Sequence, residues 1–404
     1  MLQQQMARSY DIVQRFRRFA ASVLGSKICL GLLLVPFYKS SFYDYYGSLS
    51  SISNILLTLE VYSLLTIFLI CGYRSKLLLF LAAYYLWDCF LAPFLGGTTS
   101  PGLYYCYQAI GFTLLVLLGL NGNKKSFLDN LSLIMCFACV ANYVLLLCYP
   151  DGVVSDANGS LWLFGIRTGF ALVLVPSMCV SVLRDCICGR TTFSLRTIIV
   201  IAVAILSITN QWVATGIVEL VFIALLYIIL SITNKINIRV IALIICITGV
   251  VIVVFGPSSF MSGWLDLLGR DSTFTGRTEI WQSTIIDIAE NPVYGLGGIE
   301  YVVVHEAVKG FHCLWLSVAH ESGIPGLLIY VAMFIYCVSA FDKSKAKKPA
   351  LIVGVFFLGI LVASFIEIQT YFPFMYALLA FADYFSSHSV DVGDTSIPVL
   401  MKIR

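Results

Sequence analysis

Residues 213–256 read VATGIVELVFIALLYIILSITNKINIRVIALIICITGVVIVVFG, and this stretch decides the fold. Its two apolar runs, 213–232 and 240–256, are each long enough to cross the hydrocarbon core of a bilayer as a helix, which takes about 17–25 residues. A short polar connection that contains Lys235 and Arg239 separates the two runs. The pattern is typical of two antiparallel transmembrane helices joined by a basic turn.

The whole chain has the same character. It has 404 residues, of which 59% are hydrophobic and 12% are charged. Soluble domains contain about 45–50% apolar and about 25% charged residues, so a soluble fold of this length could not bury the excess. Composition therefore excludes a disordered chain, a collagen-like fibre and a small disulfide scaffold. The net charge of +3 gives no reason to expect a nucleic-acid partner.

The pattern of apolar runs predicts an all-α integral membrane protein with about twelve transmembrane helices in one polytopic domain, residues 1–404. The basic N-terminus leads into the first run without a small-residue cleavage site, so no cleavable signal peptide is expected. The predicted spans are 20–38, 53–72, 77–94, 104–120, 128–149, 161–182, 195–208, 213–232, 240–256, 324–341, 349–367 and 371–385.

Positive charge predicts the orientation of these spans. With the N-terminus in the cytoplasm, the inner segments hold 19 of the 25 Lys and Arg residues, the outer segments hold 4, and Lys27 and Arg167 lie within spans. This asymmetry is the one that the positive-inside rule describes. Both termini are therefore predicted to be cytoplasmic.

One long connection, residues 257–323, is predicted to be extracytoplasmic, and it contains three of the four histidines. Within it, RTEIWQSTIIDIAEN at 277–291 places Trp281, Ile285 and Ile288 at helical spacing with polar residues between them. The Asn-Pro pair that follows ends the pattern. We expect an amphipathic helix that lies against the bundle or the membrane surface.

Charged residues inside the predicted spans are candidates for function, because a charge is costly in lipid. Arg167 lies about six residues inside the sixth span, toward its outer end. Lys27, Glu60 and Asp88 lie in the first three spans, where they could pair with one another or line a transport path.

Four short patterns in the second half of the chain resemble the O-antigen ligase and O-antigen polymerase superfamily. The family pattern is Gly-Arg-x-x-Ile-Trp, Asn-Pro-x-x-Gly-x-Gly, His-Asn-x-x-Leu and Glu-x-Gly-x-x-Gly. The matching residues are Gly276, Arg277, Ile280, Trp281, Asn291, Pro292, Gly295, Gly297, His312, Leu316, Glu321, Gly323 and Gly326. Residues 164–170 also look like the family's opening of a middle span, and they include Arg167.

The resemblance implies a glycosyltransferase of the bacterial cytoplasmic (inner) membrane, with its active site on the outer face. The donor would be a glycan on undecaprenyl diphosphate, and the enzyme would need no metal and no cofactor. A polymerase would transfer the glycan to a second lipid-linked repeat unit, to build O-antigen, capsule or exopolysaccharide. Such an enzyme would work beside a flippase and a chain-length regulator. A ligase would transfer the glycan to lipid A core.

Two positions depart from the family pattern. Cys313 stands where the family usually has Asn. Thr209, Asn210 and Gln211 stand where many ligases have a Ser-Arg pair, which favours polymerase over ligase. The alternatives from other classes are a transporter of the lipid-linked glycan and a non-catalytic assembly protein with the same fold.

The resemblance also gives the candidate site residues. His312 is the predicted general base, because an imidazole titrates near neutral pH. Arg277 and Arg167 are predicted to bind the diphosphate through paired N–H donors. Glu321, His320 and Trp281 are possible supporting residues. The Gly295–Gly298 segment is interpreted as a turn rather than a phosphate cradle, because no strand precedes it.

Overall fold

The computed structural model describes residues 2–38, 47–95, 102–156, 159–256, 277–297, 301–304, 307–368 and 373–388. Helices dominate these ranges, as the apolar pattern predicts. They are α1 Leu2–Gly25, α2 Lys27–Leu34, α3 Gly47–Ile70, α4 Lys76–Leu86, α5 Gly102–Cys148, α6 Phe170–Ile187, α7 Leu195–Asn210, α8 Ala214–Thr233, α9 Ile238–Phe255, α10 Arg277–Glu290, α11 Leu314–Lys343, α12 Lys347–Ala363 and α13 Phe374–Ser387.

Shorter elements extend two of these helices and begin a third. A 3₁₀ turn at Val35–Tyr38 follows α2, and another at Arg167–Gly169 precedes α6. A π-helical turn at Trp87–Leu91 and a short helix at Ala92–Phe94 continue α4.

Two antiparallel hairpins are the only sheets among the described residues. One pairs β1 (Val154–Asp156) with β2 (Gly159–Leu161). The other pairs β3 (Tyr301–Val304) with β4 (Ala307–Gly310).

The class of fold is confirmed: the chain is an all-α membrane protein. Among the described residues, seven helices are long and apolar enough to cross a membrane. The number is eight if the two helical segments Asp11–Gly25 and Lys27–Tyr38, which meet at 82°, form one span. The count of twelve spans stays a prediction.

Helix α5 contains the fourth and fifth predicted spans. Its 47 residues would extend about 70 Å if straight, more than twice the roughly 30 Å of a hydrocarbon core. The helix breaks at Asn123, whose φ/ψ angles of −118°/87° are not helical. Lys124 and Lys125 follow directly, so two spans joined at a basic break fit this element better than one.

The sixth and tenth spans begin at residues different from those predicted. The sixth span was expected at 161–182, but α6 begins at Phe170, because strand β2 and a tight turn occupy the preceding residues. The tenth span was expected at 324–341, whereas α11 begins at Leu314 and contains a break at Gly323. At the sixth span, apolar side chains in a hairpin and turn resemble those of a continuous span. At the tenth, the predicted start coincides with the break, and the additional residues Leu314–Ser322 form helix before it.

The centre of the bundle is formed by α6, α12 and α13. Nearly every residue of these three helices is buried, since other helices cover them on all sides. Helices α8 and α9 have one buried face and one exposed apolar face. An apolar face without a protein partner is expected where a helix contacts lipid.

The predicted helix is present as α10, but the face that it buries contains Arg277, Ile280, Trp281 and Thr284, while Ile285 and Ile288 are only half-buried. It starts at Arg277 and ends at Glu290, directly before the Asn-Pro pair. Residues 257–276 of the predicted outer loop, including Gly276 of the motif, lie outside the described residues.

Orientation can be tested with two native cysteines, Cys148 and Cys188, which are both exposed. Cys148 ends α5 at the predicted outer face, and Cys188 follows α6 at the predicted cytoplasmic face. A membrane-impermeant maleimide added to spheroplasts should label Cys188→Ala strongly, because that variant keeps Cys148. It should label Cys148→Ala no more than the double variant, which measures background from the other cysteines. The reverse pattern would invert the predicted topology.

Candidate functional site

Helix α10 carries an arginine into the bundle on its buried face. Arg277, Trp281 and Thr284 are buried at the spacing i, i+4 and i+7. Trp281 is fully enclosed, and burial of an indole gives a large apolar contribution to packing. Because Trp281 anchors this face, Arg277 lies one turn earlier against the bundle, with its side chain 10% exposed.

Arg277 binds the segment that follows α12. Its Nη1 donates to the carbonyl oxygen of Ile366 at 2.7 Å, and its Nη2 donates to Oε1 of Glu367 at 2.9 Å. The Glu367 side chain is 9% exposed. A buried charge needs a hydrogen-bonded partner of opposite sign. Arg277 and Glu367 are such partners for each other.

Two further segments contact Glu367 or the residues just before it. Thr215, in the first turn of α8, donates its hydroxyl to Oε1 of Glu367 at 3.3 Å. The start of α11 is held nearby, because the backbone N–H of Leu314 and the indole N–H of Trp315 donate to the backbone and side-chain oxygens of Ser364, each at 2.9 Å. Residues far apart in sequence thus converge on one carboxylate.

His312 lies on the open side of this carboxylate. Its Nδ1 is 3.8 Å from Oε2 of Glu367, and its side chain is 40% exposed. The separation is longer than a hydrogen bond, although catalytic contacts are often long before substrate binds. His312 also has a φ of +49°. Side chains rarely adopt this region, and such strain is typical of functional sites.

These contacts set the charge of Glu367. Burial by itself would raise the pKa of the Glu367 carboxyl, but the contact with His312 and the positive charge of Arg277 outweigh burial and hold the pKa below its usual value. The group is therefore ionised at neutral pH. We refer to Arg277, Glu367, His312 and Thr215 as the Glu367 cluster.

A second set of contacts joins the turn after α10 to the break in α11. In an unbroken helix the N–H of Ile324 would donate to the carbonyl of His320. At the break, Ile324 donates instead to Pro292 at 2.8 Å, and the His320 carbonyl accepts from Leu296 at 2.7 Å. Gly297 donates to the Glu321 carbonyl at 3.0 Å. The turn thus satisfies backbone groups that the break leaves open.

Glycine is required at this junction by lack of space. A Cβ at Gly323 would lie 2.3 Å from the carbonyl oxygen of Val293, and a Cβ at Gly295 would lie 2.5 Å from that of His320. Both glycines have a φ of +66°. The glycine motif therefore forms a packed turn, which agrees with its interpretation from the sequence.

The structure brings only some of the predicted site residues together. Arg277 and His312 meet through Glu367. His320 is almost fully buried, and its Nε2 lies 3.4 Å from Asp287 Oδ2 of α10. The Glu321 carboxylate accepts a hydrogen bond from Ser317, one turn earlier in α11. Trp281 is an anchor within the core.

Arg167 is placed differently from the expectation. It lies in the 3₁₀ turn before α6 rather than inside a span, and it is exposed. Among the described residues, no hydrogen bond or ion pair joins it to the Glu367 cluster. Its predicted role in binding diphosphate stays a prediction.

Glu367 and Thr215 were not predicted from the sequence. Glu367 ends the apolar run 349–367, so the principle that charged residues near lipid are candidates for function would have selected it. Thr215 carries no such signal, because a threonine in a transmembrane helix usually bonds to its own backbone.

The three charged residues of the first spans do not pair with one another. Lys27 is exposed and makes no ion pair with Glu60 or Asp88. Asp88 instead accepts a hydrogen bond from Ser322 of α11 at 2.7 Å. This finding removes one motivation for a charged transport path through these helices.

The fold and the cluster define a multi-pass membrane protein with a buried ionic site at one end of its bundle. A family model described as O-Antigen ligase matches residues 197–331. This segment contains Thr215, Arg277, His312 and the glycine junction, and it ends before Glu367. The match confirms the resemblance to the O-antigen ligase and polymerase superfamily. A search of curated proteins finds no match to the chain.

The glycine junction can be tested with a matched pair of substitutions. Gly72 and Gly323 share a φ of +66°, but a Cβ at Gly72 would meet nothing within 4 Å. Gly72→Ala should cost about 1–2 kcal/mol from backbone conformation alone. Gly323→Ala should cost clearly more, because its ψ of −175° lies in a region that only glycine adopts and because the methyl group meets the Val293 carbonyl. Melting temperatures of the purified variants measure the difference, and equal losses would show that the junction has room to adjust.

The ion pair at Glu367 should make stability depend on pH. Because the pKa of Glu367 is lower in the folded protein, its contribution is complete above the unfolded value of about 4.3 and is lost as pH falls through the folded value. At pH 7, Glu367→Gln should lower the free energy of unfolding by about 3–5 kcal/mol, as for other broken buried pairs.

The difference in melting temperature between wild type and Glu367→Gln should shrink as pH falls below about 4. Other acidic groups titrate equally in both proteins, so the comparison isolates Glu367. A difference that is constant from pH 7 to pH 3 would contradict this account.

Proposed function

We propose that this protein transfers a glycan from undecaprenyl diphosphate to a hydroxyl group, at the outer face of a bacterial inner membrane and without a metal ion. The observation that carries the proposal is the convergence of His312 and Arg277 on one buried carboxylate, Glu367. The family match supports the reaction class, because it covers both of these residues.

His312 is suited to act as the general base. With Nδ1 toward the carboxylate, the ring proton is expected on Nδ1, which leaves the lone pair of Nε2 for the acceptor hydroxyl. As the hydroxyl proton moves to Nε2, the hydroxyl oxygen bonds to the anomeric carbon. The bond from that carbon to the diphosphate breaks, and the diphosphate departs with the electron pair. Glu367 stabilises the imidazolium that forms, as a carboxylate does in other His-carboxylate pairs.

Arg277 has two proposed tasks. It holds Glu367, and through Glu367 it positions His312. A guanidinium has five N–H donors, of which two bind Ile366 and Glu367. We propose that its remaining donors bind the diphosphate as negative charge develops there. Arg167, which is exposed before α6, is proposed to supply a second cation.

The outer location rests on the charge pattern of the sequence. Thr215 begins the predicted eighth span, and Glu367 ends the predicted eleventh. Arg277 and His312 lie in the predicted outer loop. The positive-inside rule assigns all four to the outer side. The four side chains lie close together in space, as expected if these four chain segments share one side of the membrane.

For the acceptor, we propose a second lipid-linked repeat unit, so that the enzyme is a polymerase. Thr209, Asn210 and Gln211, in place of the Ser-Arg pair of many ligases, favour this choice. The second candidate is transfer to lipid A core, which the description of the matching family as O-Antigen ligase favours. A chain-length regulator and a flippase are the proposed partners of the polymerase.

Purified protein in liposomes can distinguish these possibilities. The donor is the lipid-linked repeat unit isolated from cells that lack the gene, supplied alone or with lipid A core, in the presence of EDTA. A ladder of longer glycans from donor alone supports the polymerase, and product only with lipid A core supports the ligase. Movement of intact donor between leaflets without a new bond would favour a transporter, and the absence of product with either acceptor would contradict the proposal.

His312→Gln should lower the rate of glycan transfer by about 10²–10⁴-fold, because glutamine forms hydrogen bonds but cannot take the proton. The matched control is His388→Gln, at the exposed end of α13 and outside the cluster. The measurement is initial rate at saturating donor, with melting temperature as the check on folding. Near-wild-type rates in His312→Gln would show that His312 only positions substrate.

A further inference from the structure

Three helices that have one end at the Glu367 cluster have their other ends at a cavity. Helix α8 carries Thr215 in its first turn and ends at Thr233, and its 20 residues extend about 30 Å, the thickness of a hydrocarbon core. The far ends of α11 and α12 meet in the short turn 344–346. The cavity therefore lies at the opposite face of the membrane, which the charge pattern predicts to be cytoplasmic.

This cavity lies between the turn that joins α8 to α9 and the turn that joins α11 to α12. Its volume is about 570 Å³, which is within the roughly 300–1,000 Å³ of small-ligand sites. The first turn contributes Asn234, Lys235 and Asn237, and the second segment contributes Phe341, Asp342 and Lys347.

The lining of the cavity has an excess of positive charge. The carboxylate of Asp342 is already paired, since its Oδ2 lies 2.6 Å from Nε of Arg239. Lys235 and Lys347 are exposed, and among the described residues no ion pair neutralises either ammonium group. Two like charges at one cavity repel each other, and a bound anion would replace that repulsion by attraction.

Arginines of the same predicted face show how this chain neutralises a cation internally. Arg184 and Arg196 both contact Asp129, and Arg184 also contacts the buried Asp185. The positive-inside rule explains why basic residues are frequent on this side. It does not explain why two of them line one cavity whose carboxylate is already paired. A ligand with negative charge would explain that arrangement.

The surroundings of the cavity fit an anion at the membrane surface. Helix α12 begins at Lys347, and its N-cap residue Ala346 makes no side-chain hydrogen bond to the first backbone N–H groups. Such a helix start favours a negative charge. Ile232 and Val240, on either side of the α8–α9 turn, are 76% and 50% exposed. They provide apolar surface directly beside the charged lining.

We propose that this cavity binds the phosphate headgroup of an anionic phospholipid from the cytoplasmic leaflet. Lys235 and Lys347 contact the phosphate oxygens, and the acyl chains lie against the exposed apolar faces of α8 and α9. Basic pockets between transmembrane helices on the cytoplasmic side are suited to such headgroups. The bound lipid joins the α8–α9 turn to the α11–α12 turn, so it stabilises the packing of helices whose other ends form the Glu367 cluster.

The first test measures the melting temperature of the purified protein in detergent during titration with phosphatidylglycerol. A ligand that binds the folded state raises the melting temperature. The half-maximal concentration should be about 30-fold higher for Lys235→Gln/Lys347→Gln than for wild type, because each lysine near a membrane surface contributes about fivefold in affinity. Phosphatidylcholine, which has no net charge, should have little effect on either protein.

The matched control is Lys124→Gln/Lys125→Gln. These lysines lie at the break in α5, on the same predicted face and outside the lining of the cavity. The control should respond to phosphatidylglycerol as wild type does, and Lys235→Arg/Lys347→Arg should keep most of the response because both charges remain. Equal weakening in the two glutamine variants would show a general attraction of the surface for anionic lipid and would overturn the proposal. An equal response of wild type to phosphatidylcholine would overturn it as well.

Inorganic phosphate distinguishes a lipid from a soluble anion. At millimolar concentration and constant ionic strength, it should change the melting temperature of wild type no more than chloride does. If phosphate stabilises wild type as strongly as phosphatidylglycerol, and only when Lys235 and Lys347 are present, the cavity binds a soluble phosphate compound and the lipid assignment is wrong. None of these measurements needs glycan transfer, so their outcome is independent of the proposed function.

Discussion

A single buried carboxylate organises one end of this molecule. The charge of Glu367 could not persist in an apolar bundle without partners, since removing an ion from water costs several kcal/mol. Arg277 supplies the opposite charge and Thr215 a further hydrogen bond. These partners come from α10 and α8, so the requirement to satisfy one charge fixes where two helices meet the end of α12. His312 takes its place against the same group.

Backbone groups at the break in α11 also need hydrogen-bond partners inside the bundle. A helix interrupted within a membrane protein leaves amide and carbonyl groups that lipid cannot satisfy. At the break in α11, the turn after α10 supplies the missing partners. The Glu367 cluster takes Arg277 from the first turn of α10, and the junction is formed by the turn that follows α10, so this helix connects the two.

Much of this architecture is visible in the sequence, and the exceptions have physical reasons. The limits of α10 could be predicted because a helical apolar period runs along it and an Asn-Pro pair ends it, although of the three apolar positions in that period only Trp281 is buried. The start of α6 could not, because the apolar residues before Phe170 pack in a hairpin and turn that hydropathy does not distinguish from a span.

Some residues of the candidate site could likewise be predicted from the sequence, and others could not. Arg277 and His312 belong to recognisable motifs and were predicted. The position of Glu367 at the end of an apolar run marks it as a candidate, but its partners are brought to it by tertiary contacts between residues 55 and 90 positions apart, which no local pattern could assign. Arg167 also belongs to a motif, but it lies in a turn before α6. It was expected inside a span because the predicted sixth span begins at residue 161, before α6 does.

The tight fit of Gly295 and Gly323 has a consequence for how such sequences are read. Glycine is required at these two positions because backbone atoms of one segment contact backbone atoms of the other, and not because the glycines contact a reacting group. The glycine motif therefore indicates that the turn after α10 packs closely against the break in α11, whichever molecule binds at the site. Specificity for an acceptor must therefore depend on side chains outside this glycine motif. Two enzymes with the same glycines could for this reason make different products.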